Sequence, residues 1–123
     1  MSPTQRTLAE LRKQGFTAYV VEKWNPHARI RQDLFGFIDI LAMRPCEPLL
    51  AVQATSTGNI SSRIQKITDT ALSLNWISTG SRLEVWGWAK RGARGKRKVW
   101  TLTVKVIAPG TPQLIACNGG NHG

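Results

Sequence analysis

The chain has 123 residues, 41% of them hydrophobic, which suits a single domain with a modest core. Two cysteines, Cys46 and Cys117, are too few for a disulfide scaffold and indicate reduced thiols in a cytoplasmic protein. We expect no membrane partner, because no apolar run is long enough to cross a bilayer and the first residues lack the pattern of a signal peptide.

The charge balance is strongly basic, with 17 Lys and Arg against 7 Asp and Glu and a net charge of +10. Such a balance indicates a polyanionic partner, most often nucleic acid, with solubility alone or an acidic membrane surface as weaker alternatives. The positive charge is concentrated between residues 90 and 98, "KRGARGKRK", where six of nine residues are basic. The predicted phosphate-binding residues are Lys90, Arg91, Arg94, Lys96, Arg97 and Lys98.

The first half of the chain predicts one helix followed by three strands. Ser2-Pro3-Thr4-Gln5 has the form of a capping box with proline at the first helical position, and Gly15 is a natural stop. Residues rich in β-branched and aromatic side chains then predict a strand over 16–24, and a polar loop covers 25–33. Two further strands are predicted over 35–43 and 48–56, joined by a turn at residues 45–48.

The second half predicts one helix and two strands. Asn59 is a good N-cap, and an apolar residue recurs every three or four positions on the predicted buried face, formed by Ile60, Ile64, Ile67, Ala71 and Leu74. Strands over 82–89 and 99–107 are joined by the basic loop. The order α-β-β-β-α-β-β predicts a single α/β domain over 1–108, one sheet with a helix on each face, followed by a weakly ordered tail over 109–123.

Three polar side chains interrupt the apolar hairpin "GFIDILAMRPCEPLLAVQATST". A loop centred on Cys46 pairs position 41 with 51 and 39 with 53, so Asp39 should lie across from Gln53, with Thr55 further along the same face. A carboxylate and an amide oxygen are hard donors suited to Mg²⁺ or Mn²⁺. Taken singly, each residue can also be a solvated or backbone-capping side chain, but a set of three in apolar surroundings favours a shared role.

This arrangement resembles the core of the PD-(D/E)XK nucleases, in which an Asp on one strand and Glu-x-Lys on the next lie between two helices. Here Ile38-Asp39 stands in place of Pro-Asp, and Gln53-Ala54-Thr55 in place of Glu-x-Lys. The nearest branch by resemblance is the small Holliday-junction resolvases and stand-alone phage nucleases, which would place a phage-encoded protein in the host cytoplasm. The resemblance implies a restriction-endonuclease-like αβββαβ core with a central mixed sheet.

The resemblance also implies a divalent-metal-dependent DNA endonuclease, selective for branched or junction DNA and acting as a homodimer. Its metal site would consist of Glu10, the acid on the first helix, with Asp39, Gln53 and the carbonyl of Ala54. Thr55 occupies the position of the family's lysine but carries no charge. Arg63, beside the apolar stripe of the second helix, is the predicted replacement cation, and Lys66 falls near the opposite face of that helix.

Several interpretations remain open from the sequence. Arg63 is equally consistent with a side chain that covers the edge of the core, and Asp33 with a turn-forming acid or a partner of Arg31 rather than a metal ligand. Trp24, Trp86 and Trp88 are candidates to stack on bases, although at least one of Trp86 and Trp88 is expected in the core. Because Glu and Lys of the motif are replaced, a catalytically inactive nucleic-acid-binding module is the main alternative, and a protein that acts on another DNA enzyme is a third.

Overall fold

The computed structural model describes residues 1–111. Its main sheet has five strands, and a separate two-stranded ribbon and three helices surround it. The elements in chain order are α1 (Pro3–Lys13), β1 (Thr17–Val20), β2 (Lys23–Asn25), β3 (Ile30–Gln32), β4 (Ile40–Met43), β5 (Leu50–Ser56), a 3₁₀ turn (Thr57–Asn59), α2 (Ile60–Thr68), α3 (Ala71–Ser78), β6 (Arg82–Arg91) and β7 (Val99–Ala108). The prediction of an α/β domain with a mixed sheet flanked by helices is confirmed.

The strand order in the sheet is β1-β4-β5-β6-β7, and only the β5–β6 pair is parallel. In the β4–β5 hairpin Leu41 pairs with Ala51, as the loop centred on Cys46 predicted. One end of the sheet, called here the site end, therefore collects the last residues of β1, β5 and β6 and the first residues of β4 and β7.

The two faces of the sheet bury different helices. On one face Leu8 and Leu11 of α1 pack against alternate residues of the central strands, including Ile40 and Val52. On the other face Ile60 and Ile67 of α2 pack against Ala51 and its neighbours. Side chains on a strand alternate between the faces, so Asp39 and Gln53, next to Ile40 and Val52, point to the α2 face.

The close approach of α2 to the sheet depends on a glycine in β6. A Cβ built on Gly87 would lie 2.5 Å from Cδ1 of Ile60 and 3.0 Å from Cα of Thr57. The first separation would force the Ile60 side chain to move and the second is tighter than most real contacts, so glycine lets the chain at the start of α2 rest closely on β6.

The predicted second helix is divided. It begins at Ile60 after a 3₁₀ turn, and the side chain of Asn59 bonds to Ser56 Oγ rather than capping the helix. The helix ends at Thr68, whose hydroxyl donates to the carbonyl of Ile64, and α3 follows after two residues. Leu74 is exposed, so the prediction of one continuous apolar face through Leu74 is wrong. Hydroxyl groups that bond back to helix carbonyls favour a helix end, which accounts for the break.

The predicted strand over 16–24 and the loop over 25–33 are also different in the structure. The chain leaves the main sheet after Val20 and forms a separate ribbon, in which β2 pairs with β3 and Trp24 lies opposite Arg31. The predicted strand over 35–43 begins only at Ile40, because residues 34–38 form a tight turn closed by backbone bonds in both directions between Leu34 and Ile38. Within residues 1–111 no helix is long and apolar enough to cross a membrane.

The end of the sheet opposite the site end carries a balanced set of charges. Arg44 on the β4–β5 turn forms an ion pair with Glu47, and Arg82 at the start of β6 bridges Glu47 and Glu84 at 3.0 and 2.9 Å. Two arginines and two glutamates thus neutralise one another at this end.

Candidate functional site

A cluster of three carboxylates lies at the site end of the sheet. Glu22 follows β1, Asp33 follows the ribbon and Asp39 precedes β4, and one carboxylate oxygen of each lies within 4.8 Å of the others. The chain reaches this point three times because β1, the ribbon and β4 all begin or end here. Such a concentration of negative charge at a partly buried position requires compensation.

Asp39 is buried, with 4% of its surface exposed, and its Oδ2 accepts a hydrogen bond from the backbone N–H of Ala54 at 2.9 Å. Gln53 is 1% exposed, and its Nε2 donates to Oδ2 of Asp33 at 3.1 Å. The backbone N–H of Asp39 donates to the carbonyl of Val52, which holds Asp39 beside Gln53 as the sequence predicted. The hairpin therefore brings Asp39 and Gln53 to one site.

The carboxylates have unequal environments. Burial raises the pKa of Asp39 from 3.8 to about 7, and the adjacent carboxylate of Asp33 adds to the rise. Burial alone would also raise the pKa of Asp33, but its hydrogen bonds with Asp39, Lys66 and Gln53 outweigh that effect and lower it. At neutral pH the pair therefore retains a proton on Asp39 for part of the time, while Asp33 is ionised.

Two cations lie at the edge of the cluster. Nζ of Lys66, on α2, is 2.9 Å from Oδ2 of Asp33. Nη1 of Arg31, on the ribbon, is 3.1 Å from Oε1 of Glu22. Lys66, Arg31 and the proton of Asp39 together offset the three negative charges.

The donor set fits a hard divalent cation. Oε1 of Gln53 is buried and has no hydrogen-bond partner among the described residues, although the other end of the same amide lies on Asp33. A buried amide oxygen without a donor is costly. Because Nε2 faces Asp33, a metal ion among the carboxylates would take Oε1 as a ligand after the amide group had rotated by about 180°. Carboxylate and amide oxygens are the donors that Mg²⁺ and Mn²⁺ prefer.

Glu10 is not brought to this cluster. It lies on α1, which covers the opposite face of the sheet, and its Oε2 accepts from Nε2 of Gln14 at 2.9 Å. Together with Arg6 and Trp88 it lines a separate, open surface cavity. The acids that lie beside Asp39 are Glu22 and Asp33 instead.

Thr55 is buried on the α2 face of β5, level with Gly87 of β6. The structure gives Arg63 no hydrogen bond or ion pair with any other residue in 1–111, and it is Lys66 that bonds to the cluster. The helical angles placed Lys66 far from the apolar stripe, but its long side chain reaches Asp33 on the adjoining loop.

Tryptophans divide into buried and exposed groups. Nε1 of Trp86 donates to Glu84 and Nε1 of Trp88 to Thr7 Oγ1, both at 2.9 Å, and both rings are buried. They are core residues, so the hypothesis that they stack on bases is wrong for this pair. Trp24 on the ribbon is 55% exposed and remains accessible to a ligand.

The predicted phosphate-binding residues lie on a long hairpin, the basic arm, formed by residues 90–98 between β6 and β7. All six basic side chains of the arm are exposed, and Nζ of Lys90 lies 5.5 Å from the ring centre of Trp100. Val85 of β6 is level with Gln53, and Arg91 lies six residues further along the strand. At ~3.3 Å per residue Arg91 is about 20 Å from the level of the carboxylates.

No protein-family model, curated protein or solved structure matches this chain.

Proposed function

We propose that this protein is a divalent-metal-dependent DNA endonuclease of the PD-(D/E)XK type, on a restriction-endonuclease-like fold. The observation that carries the proposal is the carboxylate cluster of Glu22, Asp33 and Asp39, with the buried amide of Gln53 hydrogen-bonded to it through Nε2. These donors lie on the β4–β5 hairpin and the segments that adjoin it, at the end of the sheet from which the basic arm extends.

In this proposal Asp33, Asp39, Glu22 and Gln53 hold Mg²⁺ or Mn²⁺, with the carbonyl of Ala54 as a further oxygen donor. When bound, the ion supplies Lewis acidity that activates water and neutralises charge on the scissile phosphate. Binding would displace the proton that Asp39 holds at neutral pH, since that proton and the ion compete for the same oxygens. The hydrogen bond from Ala54 fixes the orientation of the Asp39 carboxylate toward the site.

The cationic role of the family's lysine falls to Lys66. Its ammonium group lies at the cluster, where it can stabilise the negative charge that develops on the phosphate during hydrolysis. Thr55, at the family's lysine position, is buried and uncharged, so it would support the strand rather than the reaction. Arg63 remains a candidate for a second phosphate contact from the same helix.

The basic arm would bind the DNA backbone without reading its sequence, because its side chains are flexible cations on an exposed loop. The ~20 Å between the carboxylate level and Arg91 of the arm corresponds to about six nucleotides of one strand at ~3.4 Å each. We therefore expect phosphates about six nucleotides from the cut to contribute most to affinity.

An inactive nucleic-acid-binding module is the second candidate, motivated by Gln53 and Thr55 in place of Glu and Lys. Both candidates retain the basic arm, and they differ in whether metal produces cleavage. A homodimer that cuts two strands of a junction stays a prediction from the resemblance.

The deciding experiment measures cleavage of labelled linear, flapped and four-way-junction DNA in EDTA, Mg²⁺ and Mn²⁺. Asp39→Asn should abolish cutting and leave DNA binding intact, whereas the matched control Asp69→Asn, at an exposed acid on the end of α2, should cut as the wild type does. Binding without cutting in either metal would overturn the nuclease and favour the inactive module. An RNA strand of the same sequence tests the preference for DNA.

A further inference from the structure

The ribbon formed by residues 23–32 has an unusual position and charge. Glu22 and Asp33, two of the three clustered acids, immediately precede and follow it, so the ribbon projects from the candidate metal site itself. Between them lie no acidic residue and three basic ones, of which Arg31 is paired with Glu22, so Lys23 and Arg29 supply the excess positive charge. A surface of this charge next to a phosphodiester-cleaving site complements a polyanion.

The ribbon also exposes apolar side chains that the rest of the fold does not cover. Trp24 is 55% exposed and Ile30 is 51% exposed, on a two-stranded element that pairs only with itself. Trp86 and Trp88, by contrast, are buried and hydrogen-bonded. The core does not require Trp24, so its exposure points to a ligand with an apolar face.

The ribbon and the basic arm leave the same end of the sheet from its two sides. β1, which precedes the ribbon, is one edge strand, and β7, which follows the basic arm, is the other. Four strand spacings of ~4.8 Å separate them by about 19 Å, with the carboxylates near the β4 and β5 ends between. A nucleic-acid strand that binds the arm and extends past the carboxylates would therefore reach the ribbon next.

We propose that the ribbon is a second nucleic-acid-binding surface, which holds unpaired nucleotides on the side of the cleaved phosphate away from the basic arm. Trp24 stacks on an unpaired base, and Arg29, in the turn that joins the two strands of the ribbon, contacts an adjoining phosphate. This inference rests on the proposed nuclease function and names its substrate class, which is DNA with a single-stranded segment at the cut.

The exposed groups of the ribbon are better suited to stack on unpaired bases than to contact base edges in the groove of a duplex. The ring of Trp24 offers a flat apolar face, which stacks on any unpaired base. Asn25, which could otherwise read base edges, is committed to its own turn, since its Oδ1 accepts from the backbone N–H groups of His27 and Ala28. Paired bases would offer such a ring no free face.

The test measures binding of fluorescent oligonucleotides to full-length protein carrying Asp39→Asn, so that no DNA is cut. In that background Trp24→Ala should weaken binding of single-stranded and flapped DNA about tenfold or more, and leave blunt duplex affinity within about twofold. Trp24→Phe should keep most of the affinity. Tyr19→Ala, which removes an exposed aromatic residue on β1, is the matched control and should change neither affinity.

Equal losses for duplex and single strand, or no loss for either, would overturn the ribbon proposal. A change in the molecular mass of Trp24→Ala in solution, with unchanged DNA affinity, would instead identify a surface between copies of the chain and would also overturn it. Wild-type cleavage is scored separately: selective loss of single-strand binding without any wild-type cleavage would retain the ribbon surface and remove the nuclease.

Discussion

Replacing Asp39 by asparagine should stabilise the metal-free protein at alkaline pH, although it should abolish cleavage. The reason is the buried carboxyl group, whose pKa rises from 3.8 to about 7 on folding. A carboxyl group with a raised pKa holds its proton more tightly in the folded chain, so its contribution is fully favourable below pH ~3.8 and is lost as the pH rises through about 7. Asparagine is uncharged at every pH and retains an acceptor for the N–H of Ala54.

The size of the effect follows from the two pKa values. A rise of about three pKa units corresponds to about 4 kcal/mol of unfolding free energy. About 1 kcal/mol of this stabilisation is already lost at pH ~4.5, and nearly all of it is lost at pH ~8.5. The stability difference between Asp39→Asn and wild type should therefore grow by about 3 kcal/mol between these pH values. For a chain of this length that is about 10 °C in Tm.

The assay is urea unfolding followed by tryptophan fluorescence, in EDTA, at both pH values. Asp69→Asn provides the control, because Asp69 is exposed and lies outside the carboxylate cluster. Adding Mg²⁺ at the alkaline pH should stabilise wild type by about 2.7 kcal/mol at a hundredfold excess over Kd, and Asp39→Asn by much less. If the unfolding free energies of Asp39→Asn and wild type differ by the same amount at both pH values, folding does not raise the pKa of the Asp39 carboxyl group.

Three further predictions address the helix, the arm and the packing of the sheet. Lys66→Met should lower the cleavage rate at least about a hundredfold with little change in DNA affinity, whereas Arg63→Met should lower it less, as single-turnover kinetics with each variant would show. Replacing Lys96, Arg97 and Lys98 of the basic arm by alanine should reduce the slope of log Kd against log salt by about 2.7 for duplex DNA, and an unchanged slope would exclude the arm from the phosphate contacts. Gly87→Ala should destabilise the protein by about 1–3 kcal/mol, because the new Cβ would clash with the side chain of Ile60. Adding Ile60→Val, which removes the nearest atom, should restore part of the lost stability in thermal unfolding.

The hairpin register was predictable because one-residue slippage would turn every apolar side chain of β5 toward the wrong face. The sequence therefore placed Asp39 beside Gln53 correctly, as the pairing of Ile40 with Val52 confirms. It also predicted the cap of α1, where Ser2 Oγ accepts from the N–H of Gln5 at 3.2 Å.

Most of the remaining site was not predictable from local patterns. Glu22 and Asp33 are separated by the ribbon, whose short strands show neither the alternation nor the length that marks a strand in a sequence. Their proximity depends on where the ribbon folds back, which is a tertiary property. The sequence did contain one signal, the turn at Asn25-Pro26 between Glu22 and Asp33. Because such a turn reverses the chain, the acids before and after it are brought close together.

Charge is distributed unevenly along the sheet, which gives the molecule an electric dipole. At one end, ion pairs join Arg44, Glu47, Arg82 and Glu84. These four charges cancel at that end of the sheet, where Arg12 and Lys13 of α1 add two cations, whereas the six cations of the basic arm extend from the other end. The excess charge is therefore displaced toward the candidate active site. In the field of a polyanion such a molecule experiences a torque as well as an attraction, so diffusional encounters should be oriented before contact. Productive collisions would then be enriched at low ionic strength, and the arrangement of charge far from the reacting groups would influence how fast substrate is captured.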